Sequence, residues 1–282
     1  MKNIQITVII STYNAVQWLE KVLYGYSQQT YQDLEVIVAD DGSDDVTSKL
    51  INEFRKNFPF PLRHIWHEDR GYMRQTILNE AIIAAKGDYI IMTDGDCIPN
   101  KNFVEIHASL AKKGHFLSGG YCKLSLDLSE RISKEDIKNE ICFDFKWLKS
   151  QEKLGLSNTL KLGSGKKMGK VLDKFTPTNA TFNNCNSSGW KSDFIAINGY
   201  DERMQYGGPD RDFGERLENA NIKGVQIRHR AITLHLDHPR GYKNKESIDK
   251  NLAIRAFNKK NKVVETDFGI KQHQGKVRHI EK

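Results

Sequence analysis

Four short aliphatic runs recur early in the chain: Ile4 to Ile10, Leu34 to Ala39, Leu62 to Trp66 and Tyr89 to Met92. Each is too short for a helix of a buried core, rich in β-branched residues, and continuous rather than alternating, which is the pattern of strands buried on both faces. Helical patterns lie between them. Val16, Leu19, Val22 and Leu23 repeat on one face, with Asn14 as the expected N-cap. Val46, Leu50, Ile51 and Phe54 form a second such face, and Met73 to Ala85 is a strongly apolar helix closed by Gly87. Alternation of this kind predicts an α/β fold, a mostly parallel, twisted sheet flanked by helices on both faces. Ligands of such sheets gather beyond the carboxyl ends of the strands. Thr12 to Asn14, Asp40-Asp41 and Asp94 to Asp96 all stand at those ends.

Beyond Cys122 the pattern loosens. Ser133 to Lys153 is charged and predicted helical, and Gly163 to Gly169 has the Gly/Ser/Lys composition of a flexible loop. Order returns with a short helix from Lys191, a helix over Asp212 to Ala220, and strands near Gly224 to Ile227 and Ala231 to Leu236. A last helix around Ile248 to Asn258 is expected to give way to a polar, frayed end.

Composition removes several classes. The 282 residues allow one large domain with a full core, and no apolar stretch approaches the length needed to span a bilayer. The start of the chain has no signal-peptide layout, so a cytoplasmic location is expected. Cys97, Cys122, Cys142 and Cys185 are scattered without zinc spacing and read as reduced packing residues. The net charge of +7 invites a nucleic-acid reading, but no RNA-binding aromatic signature or zinc finger accompanies it, so no nucleic-acid partner is expected. The late basic residues Lys259, Lys260, Lys262, Arg278 and Lys282 suit either a solvated tail or peripheral contact with an anionic inner-membrane surface.

Two carboxylates one residue apart at a strand end, as in Asp94-Gly95-Asp96, suit one hard divalent cation that also bridges a diphosphate. Alone, such a triplet also occurs in plain turns. Asp40-Asp41 reads either as a turn-former or as a carboxylate accepting hydrogen bonds from a base or ribose. No Gly-x-Gly-x-x-Gly follows the first strand and no Walker lysine loop follows any strand, which disfavours dinucleotide oxidoreductases and P-loop NTPases.

Thr7-Val-Ile-Ile-Ser-Thr-Tyr-Asn14, Val38-Ala-Asp-Asp-Gly-Ser43 and Gly87-Asp-Tyr-Ile-Ile-Met-Thr-Asp-Gly-Asp96 resemble, in order and spacing, the signatures of family 2 glycosyltransferases, which have the GT-A fold. The resemblance covers roughly the first 120 residues and takes in His67 to Arg74. It implies a UDP-sugar site containing Thr12, Tyr13, Asn14, Arg70 and Gly95, with Asp40 or Asp41 at uracil and ribose, and Arg74 near the diphosphate. It further implies Asp96 as a ligand of Mn2+ or Mg2+, with Asp94 holding ribose or sharing the metal.

The second half is similar to β-1,4-type galactosyltransferases and bacterial chondroitin-type polymerases through Asn198-Gly-Tyr-Asp-Glu202 and Tyr206-Gly-Gly-Pro-Asp-Arg-Asp212. That similarity places Asp210 as catalytic base and Asp212 as a supporting acidic residue. Pro209 stands where the animal enzymes carry Glu, which leaves the acceptor contacts beside it open. His235, in Leu234-His-Leu-Asp-His-Pro239, aligns with a third metal ligand, with Asp237 and His238 as its supports. Gly207 and Gly208 permit close approach of a sugar, Trp190 suits stacking on an apolar sugar face, and Asn184 and Asn186 suit sugar hydroxyls.

These readings converge on a single GT-A domain with a nucleotide-sugar half over 1–120, an acceptor and catalytic half over 121–245 and a helical basic tail over 246–282. The expected reaction moves a hexosyl unit (galactose, N-acetylgalactosamine or glucose) from a UDP-sugar to a glycan or lipid-linked glycan of a bacterial surface, with inversion. Two alternatives stand beside it: a nucleotidyltransferase, whose glycine-rich basic loop after strand one is absent here, and a non-catalytic basic module for carbohydrate or nucleic acid. Metal-dependent UDP affinity separates the last from the first.

Overall fold

The computed structural model describes residues 4–239, 244–273 and 280–282. Its first part is a regular alternation: β1 (Ile6–Thr12), α1 (Val16–Tyr26), β2 (Leu34–Asp40), α2 (Asp45–Arg55), β3 (Leu62–Trp66), α3 (Arg74–Ala84) and β4 (Tyr89–Asp94). Then come β5 (Cys97–Pro99), α4 (Phe103–Leu110), β6 (His115–Ser118) and β7 (Gly120–Lys123). A helical stretch follows, α5 (Leu126–Arg131), α6 (Lys134–Lys138), α7 (Phe145–Gln151), α8 (Leu156–Gly163) and α9 (Gly165–Phe175). The remainder is β8 (Ser187–Trp190), α10 (Lys191–Ala196), α11 (Pro209–Asn219), β9 (Lys223–Gln226), β10 (Ile232–His235), α12 (Lys245–Lys260) and β11 (Ile280–Glu281).

Eight strands form one sheet in the order β11-β3-β2-β1-β4-β8-β6-β9, and β5-β10-β7 form a second, small sheet. In the large sheet only β8 and β11 run against the rest, through antiparallel pairing with β4, β6 and β3. The expected mostly parallel sheet with helices on both faces is therefore what forms. Its central strands are wholly buried, and their side chains alternate between two cores. Val8, Ile10, Val36 and Val38 pack with Leu19, Val22, Leu23 and Ile51 of α1 and α2. Ile9, Ile37, Ala39 and Ile65 pack with Ile77, Leu78, Phe194 and Phe213 of α3, α10 and α11. Each such side chain contributes roughly 1.5–3 kcal/mol when fully buried, so a slip of one residue is strongly penalised. The resulting register sets Thr12 opposite Asp40 and Ser11 opposite Asp94, bringing three sequence-distant polar groups to one edge.

Several local expectations are corrected. Asn14 does not cap α1: Ala15 holds that position, while Asn14 adopts φ 44° and links two strand ends. Its backbone N–H donates to Ser43 Oγ at 2.8 Å and its Oδ1 accepts from the Asp44 N–H at 3.0 Å. Gly163 to Gly169 is not a loop but the end of α8, the junction and the first turn of α9. Gly169 is there because α9 lies on backbone, where an added Cβ would stand 2.6 Å from the His229 carbonyl oxygen. Asp173 then fastens the helix to Arg230 at 2.6 Å. Ser133 to Lys153 is broken between α6 and α7 by a 3₁₀ turn, and α11 begins at Pro209 rather than Asp212, because proline suits a helix's first position. Among the described residues, the chain after α12 returns to the fold. Ile270 is buried in the second core, and Ile280–Glu281 pairs with β3 at the sheet edge. Arg278 lies outside the described residues.

Candidate active site at the strand ends

Four structural units converge past the carboxyl ends of β1, β2 and β4. From β1, Ser11 Oγ donates to Asp94 Oδ1 at 3.0 Å, and the Gly95 N–H donates back to the Ser11 carbonyl at 2.8 Å. Arg74, the first residue of α3, donates to Ser11 Oγ at 2.9 Å and pairs with Asp94. Burial works against the Arg74 charge, but Asp94, Tyr72, Tyr200 and Asp210 together outweigh it and hold the guanidinium firmly protonated. Asp94 is thus committed to an arginine, and Arg74 presents fixed positive charge at the strand ends.

The two aspartates after β2 separate in role. Asp40 is 0% exposed; its Oδ2 lies 2.8 Å from His64 Nε2 and its Oδ1 accepts from the Ser43 N–H. It is an internal brace, which corrects its assignment to the nucleotide. Asp41 keeps 6% exposure, and its carboxylate receives His67 Nε2 at 2.9 Å and the Met73 N–H at 3.2 Å. Burial pushes the Asp41 carboxyl up, against the pull of His67. Together these bonds fix the 67–73 segment and so aim Arg74. Tyr13 reaches the same segment, its hydroxyl donating to Asp69 Oδ2 at 2.9 Å. Arg70 is held outside these contacts: its side chain is 70% exposed and pairs with Glu68 at 3.1 Å. Thr12 Oγ1, beside Gly95, is buried with no hydrogen-bond partner among the described residues, an acceptor and donor left for a ligand.

The small sheet supplies the metal-type donors. Cys97 and His235 are directly opposite on β5 and β10, so their side chains share a face. His235 Nδ1 lies 2.9 Å from the Leu236 carbonyl, which fixes the proton there and turns Nε2 toward Asp96 Oδ2 at 3.7 Å. His238 repeats the arrangement, with Nδ1 2.9 Å from the Pro239 carbonyl and Nε2 2.9 Å from Asp96 Oδ2. Ligating atoms of Asp96, Cys97 and His235 lie within 4.8 Å of one another. Burial raises the Asp96 carboxyl, but His238 and His235 prevail and leave it below the usual carboxylate range. Asp96 and His235, whose outer nitrogen is tied to backbone, fit a divalent cation, and His238 reaches the same Asp96 oxygen. The sequence reading ranked His238 below His235; the spacing of two histidines by two residues at a strand end was the signal for both.

Asp210 stands in the first turn of α11, where the helix dipole favours a carboxylate. Its Oδ1 accepts from the Arg211 N–H at 2.9 Å. Burial raises its carboxyl above the ordinary value, the Arg211 N–H and Arg74 oppose this, and Asp94 adds to it. Asp210 therefore lies within electrostatic reach of the Arg74–Asp94 pair. Gly207 (φ 111°) and Gly208 (φ 93°) turn the chain into α11 through backbone that other residues rarely adopt. Asn251 of α12 clamps that turn, its Nδ2 donating toward the carbonyls of Gln205, Tyr206 and Gly207 at 3.1, 3.1 and 3.2 Å.

Four residues expected at the acceptor or sugar are engaged elsewhere. Asp212 is fully buried between Arg216 at 2.8 Å and Asn258 at 2.7 Å, joining α11 to α12. Asn186 is fully buried, donating to the Gly120 and Ala231 carbonyls and facing His107 at 3.1 Å. Trp190 pairs in register with Tyr89, at the opposite end of β4 from Asp94, beneath Lys113 at 3.6 Å. Asn184 is buried and accepts from the Tyr200 hydroxyl.

Residues 7–157 match the family described as glycosyl transferase family 2. The chain belongs to that family. Residues 166–239 also match the family described as N-terminal domain of galactosyltransferase. Among relatives, the chain is 26% identical over 275 residues to an uncharacterized glycosyltransferase, YfnE of Bacillus subtilis, covering 88% of this chain and 68% of that protein. It is 32% identical over 106 residues to chondroitin synthase of Escherichia coli, covering 37% of this chain and 15% of the synthase. Solved structures share the fold. TarS 1-349 of S. aureus in complex with UDP-GlcNAc has a TM-score of 0.63 at 13% identity, over 95% of this chain and 69% of that one. The mannosyltransferase PcManGT of Pyrobaculum calidifontis, in complex with GDP-Man and Mn2+, has a TM-score of 0.59 at 17% identity, over 91% and 61%. This family 2 chain therefore has the GT-A fold, and no described helix is long and apolar enough to cross a membrane.

Proposed function

We propose that this family 2 glycosyltransferase moves a hexosyl unit from a UDP-sugar to a hydroxyl of a bacterial surface glycan, inverting the anomeric centre. The observation that carries the reading is the position of Asp210: a half-buried carboxylate with a raised pKa, in the first turn of α11 and within electrostatic reach of the Arg74–Asp94 pair at the strand ends. Asp210 takes the proton of the acceptor hydroxyl as its oxygen attacks the anomeric carbon. Arg74 offsets charge on the departing diphosphate, and Asp41, Thr12 and Tyr13 line the nucleoside side. Asp96, His235 and His238 would hold Mn2+ or Mg2+, which when bound supplies Lewis-acid stabilisation of the diphosphate. Gly207 and Gly208, backed by Ile248 and Arg255 of α12, form the turn that leads into Asp210. The likeness to chondroitin synthase and to a structure in complex with UDP-GlcNAc supports a UDP-linked donor and a polysaccharide acceptor.

The test is a panel of UDP-sugars and GDP-mannose, with and without Mn2+, scored for slow donor hydrolysis. One UDP-hexose turned over only with metal is expected. Preference for GDP-mannose would reject the donor class, and absence of any metal-dependent UDP binding would favour a non-catalytic module.

A further inference from the structure

Helices α8 and α9 carry a surface that the strand-end site does not use. Leu156, Leu160, Met168, Val171 and Phe175 are 77, 44, 55, 49 and 74% exposed. Five of the sixteen large apolar side chains exposed among the described residues thus fall within twenty consecutive positions on two successive helices. Their spacing is helical. On α9, Met168, Val171 and Phe175 form one stripe, and Lys167, Lys170 and Lys174 form the stripe beside it. The inward face is Gly169 against the His229 backbone and Asp173 against Arg230. Asp173 is the only acidic residue between Lys153 and Phe175, and it is buried in that ion pair, so the outward charge of this segment is wholly positive.

We propose that this face of α8 and α9 docks on an anionic lipid bilayer, with the apolar stripe in the acyl boundary and the lysines among the headgroups. The lysine stripe alone would equally suit an acidic polysaccharide, but such a partner gives Leu156 and Phe175 nothing apolar to meet. A second copy of the chain would set lysine against lysine. A bilayer takes both stripes at once, and lysine stems add to the buried area. The position also has a consequence for the site. Lys161 Nζ of α8 donates to the Tyr121 carbonyl at 2.8 Å, and the Tyr121 ring packs 5.5 Å from that of His235. A docked helix pair therefore holds the metal-type cluster next to the membrane surface, where a lipid-linked acceptor would be presented.

The proposal is independent of the donor and of Asp210, and vesicle binding reads it without activity. The full chain is sedimented with phosphatidylcholine vesicles, either pure or containing roughly one-third phosphatidylglycerol. Binding to the anionic vesicles alone is expected, weakened by salt. The variants Leu156→Ser with Phe175→Ser, and Lys167→Ser with Lys170→Ser and Lys174→Ser, each lose roughly tenfold or more in partitioning, the scale set by removing headgroup attraction or apolar insertion. Their melting temperatures and UDP affinity stay at the wild-type value. Serine at Lys259, Lys260 and Lys262 of the tail leaves binding intact. Equal binding to neutral vesicles, helix variants that bind as wild type, or loss confined to the tail variant would each overturn the proposal. So would tighter binding to a soluble acidic polysaccharide that survives the Leu156 and Phe175 changes, or a dimer in light scattering that those two changes dissolve while no vesicle binding is seen.

Discussion

At Asp210 two opposed pulls meet: burial favours the protonated acid, while the Arg211 N–H and Arg74 favour the carboxylate. Burial wins in direction, so the group is fully ionised only above the ordinary Asp value of about 3.9. As pH falls through the raised pKa the base takes up a proton, and kcat/KM is expected to drop on an acid limb that begins above that value. A pH–rate profile checks this, and a rate flat down to the ordinary carboxylate range would contradict it. Asp212 carries the opposite expectation. Its carboxylate is enclosed by Arg216 and Asn258, so Asp212→Ala leaves a buried guanidinium unpaired and is expected to cost roughly 3–5 kcal/mol of stability in urea unfolding. An intact unfolding curve with a raised acceptor KM would instead restore it to the acceptor site. Asp40, Asp212 and Asn186 were drawn into the site by residue type and motif neighbourhood. What removed them is burial, which depends on chain segments far away in sequence: His64 for Asp40, Asn258 for Asp212, Gly120 and Ala231 for Asn186.

Elements were legible where hydrophobic pattern alone decides them. The runs that form β1 to β4 and the helices between them are long, apolar and bounded by turn residues, and they fall within a residue or two of expectation. The signal failed at α8 and α9, where glycine and lysine composition suggests a loop. That pair is held by backbone contact at Gly169 and the ion pair of Asp173, neither visible in local sequence. Trp190 was misplaced for a related reason: β8 runs antiparallel to β4, which sends it to the wrong end of the sheet. The role of α12 was equally hidden, yet it sets the geometry before Asp210. Asn251→Leu removes three hydrogen bonds from the Gly207-Gly208 turn while keeping the side-chain volume close. Misplacement of a catalytic group by about 1 Å can cost roughly 100-fold, so kcat is expected to fall between tenfold and that limit with UDP affinity unchanged. A wild-type kcat would show that α12 is only a scaffold.

Over the whole molecule, strand ends of both sheets and the starts of two helices carry the candidate groups that the sequence scatters. Asp94 comes from β4, Arg74 from α3, His235 and His238 from the end of β10, and Asp210 from α11. The order and spacing of the strand-end motifs pointed to the family that residues 7–157 match. The tail completes the fold rather than trailing from it, since Ile270 enters the second core and β11 extends the sheet. The most direct test of the account compares wild type with Asp210→Asn on two readouts: hydrolysis of the preferred UDP-sugar, with water standing in for the acceptor, and UDP affinity with Mn2+. Loss of the base is expected to slow hydrolysis by roughly 10²–10⁴-fold with UDP affinity unchanged. Turnover in Asp210→Asn equal to that of the wild type would contradict the assignment of the base.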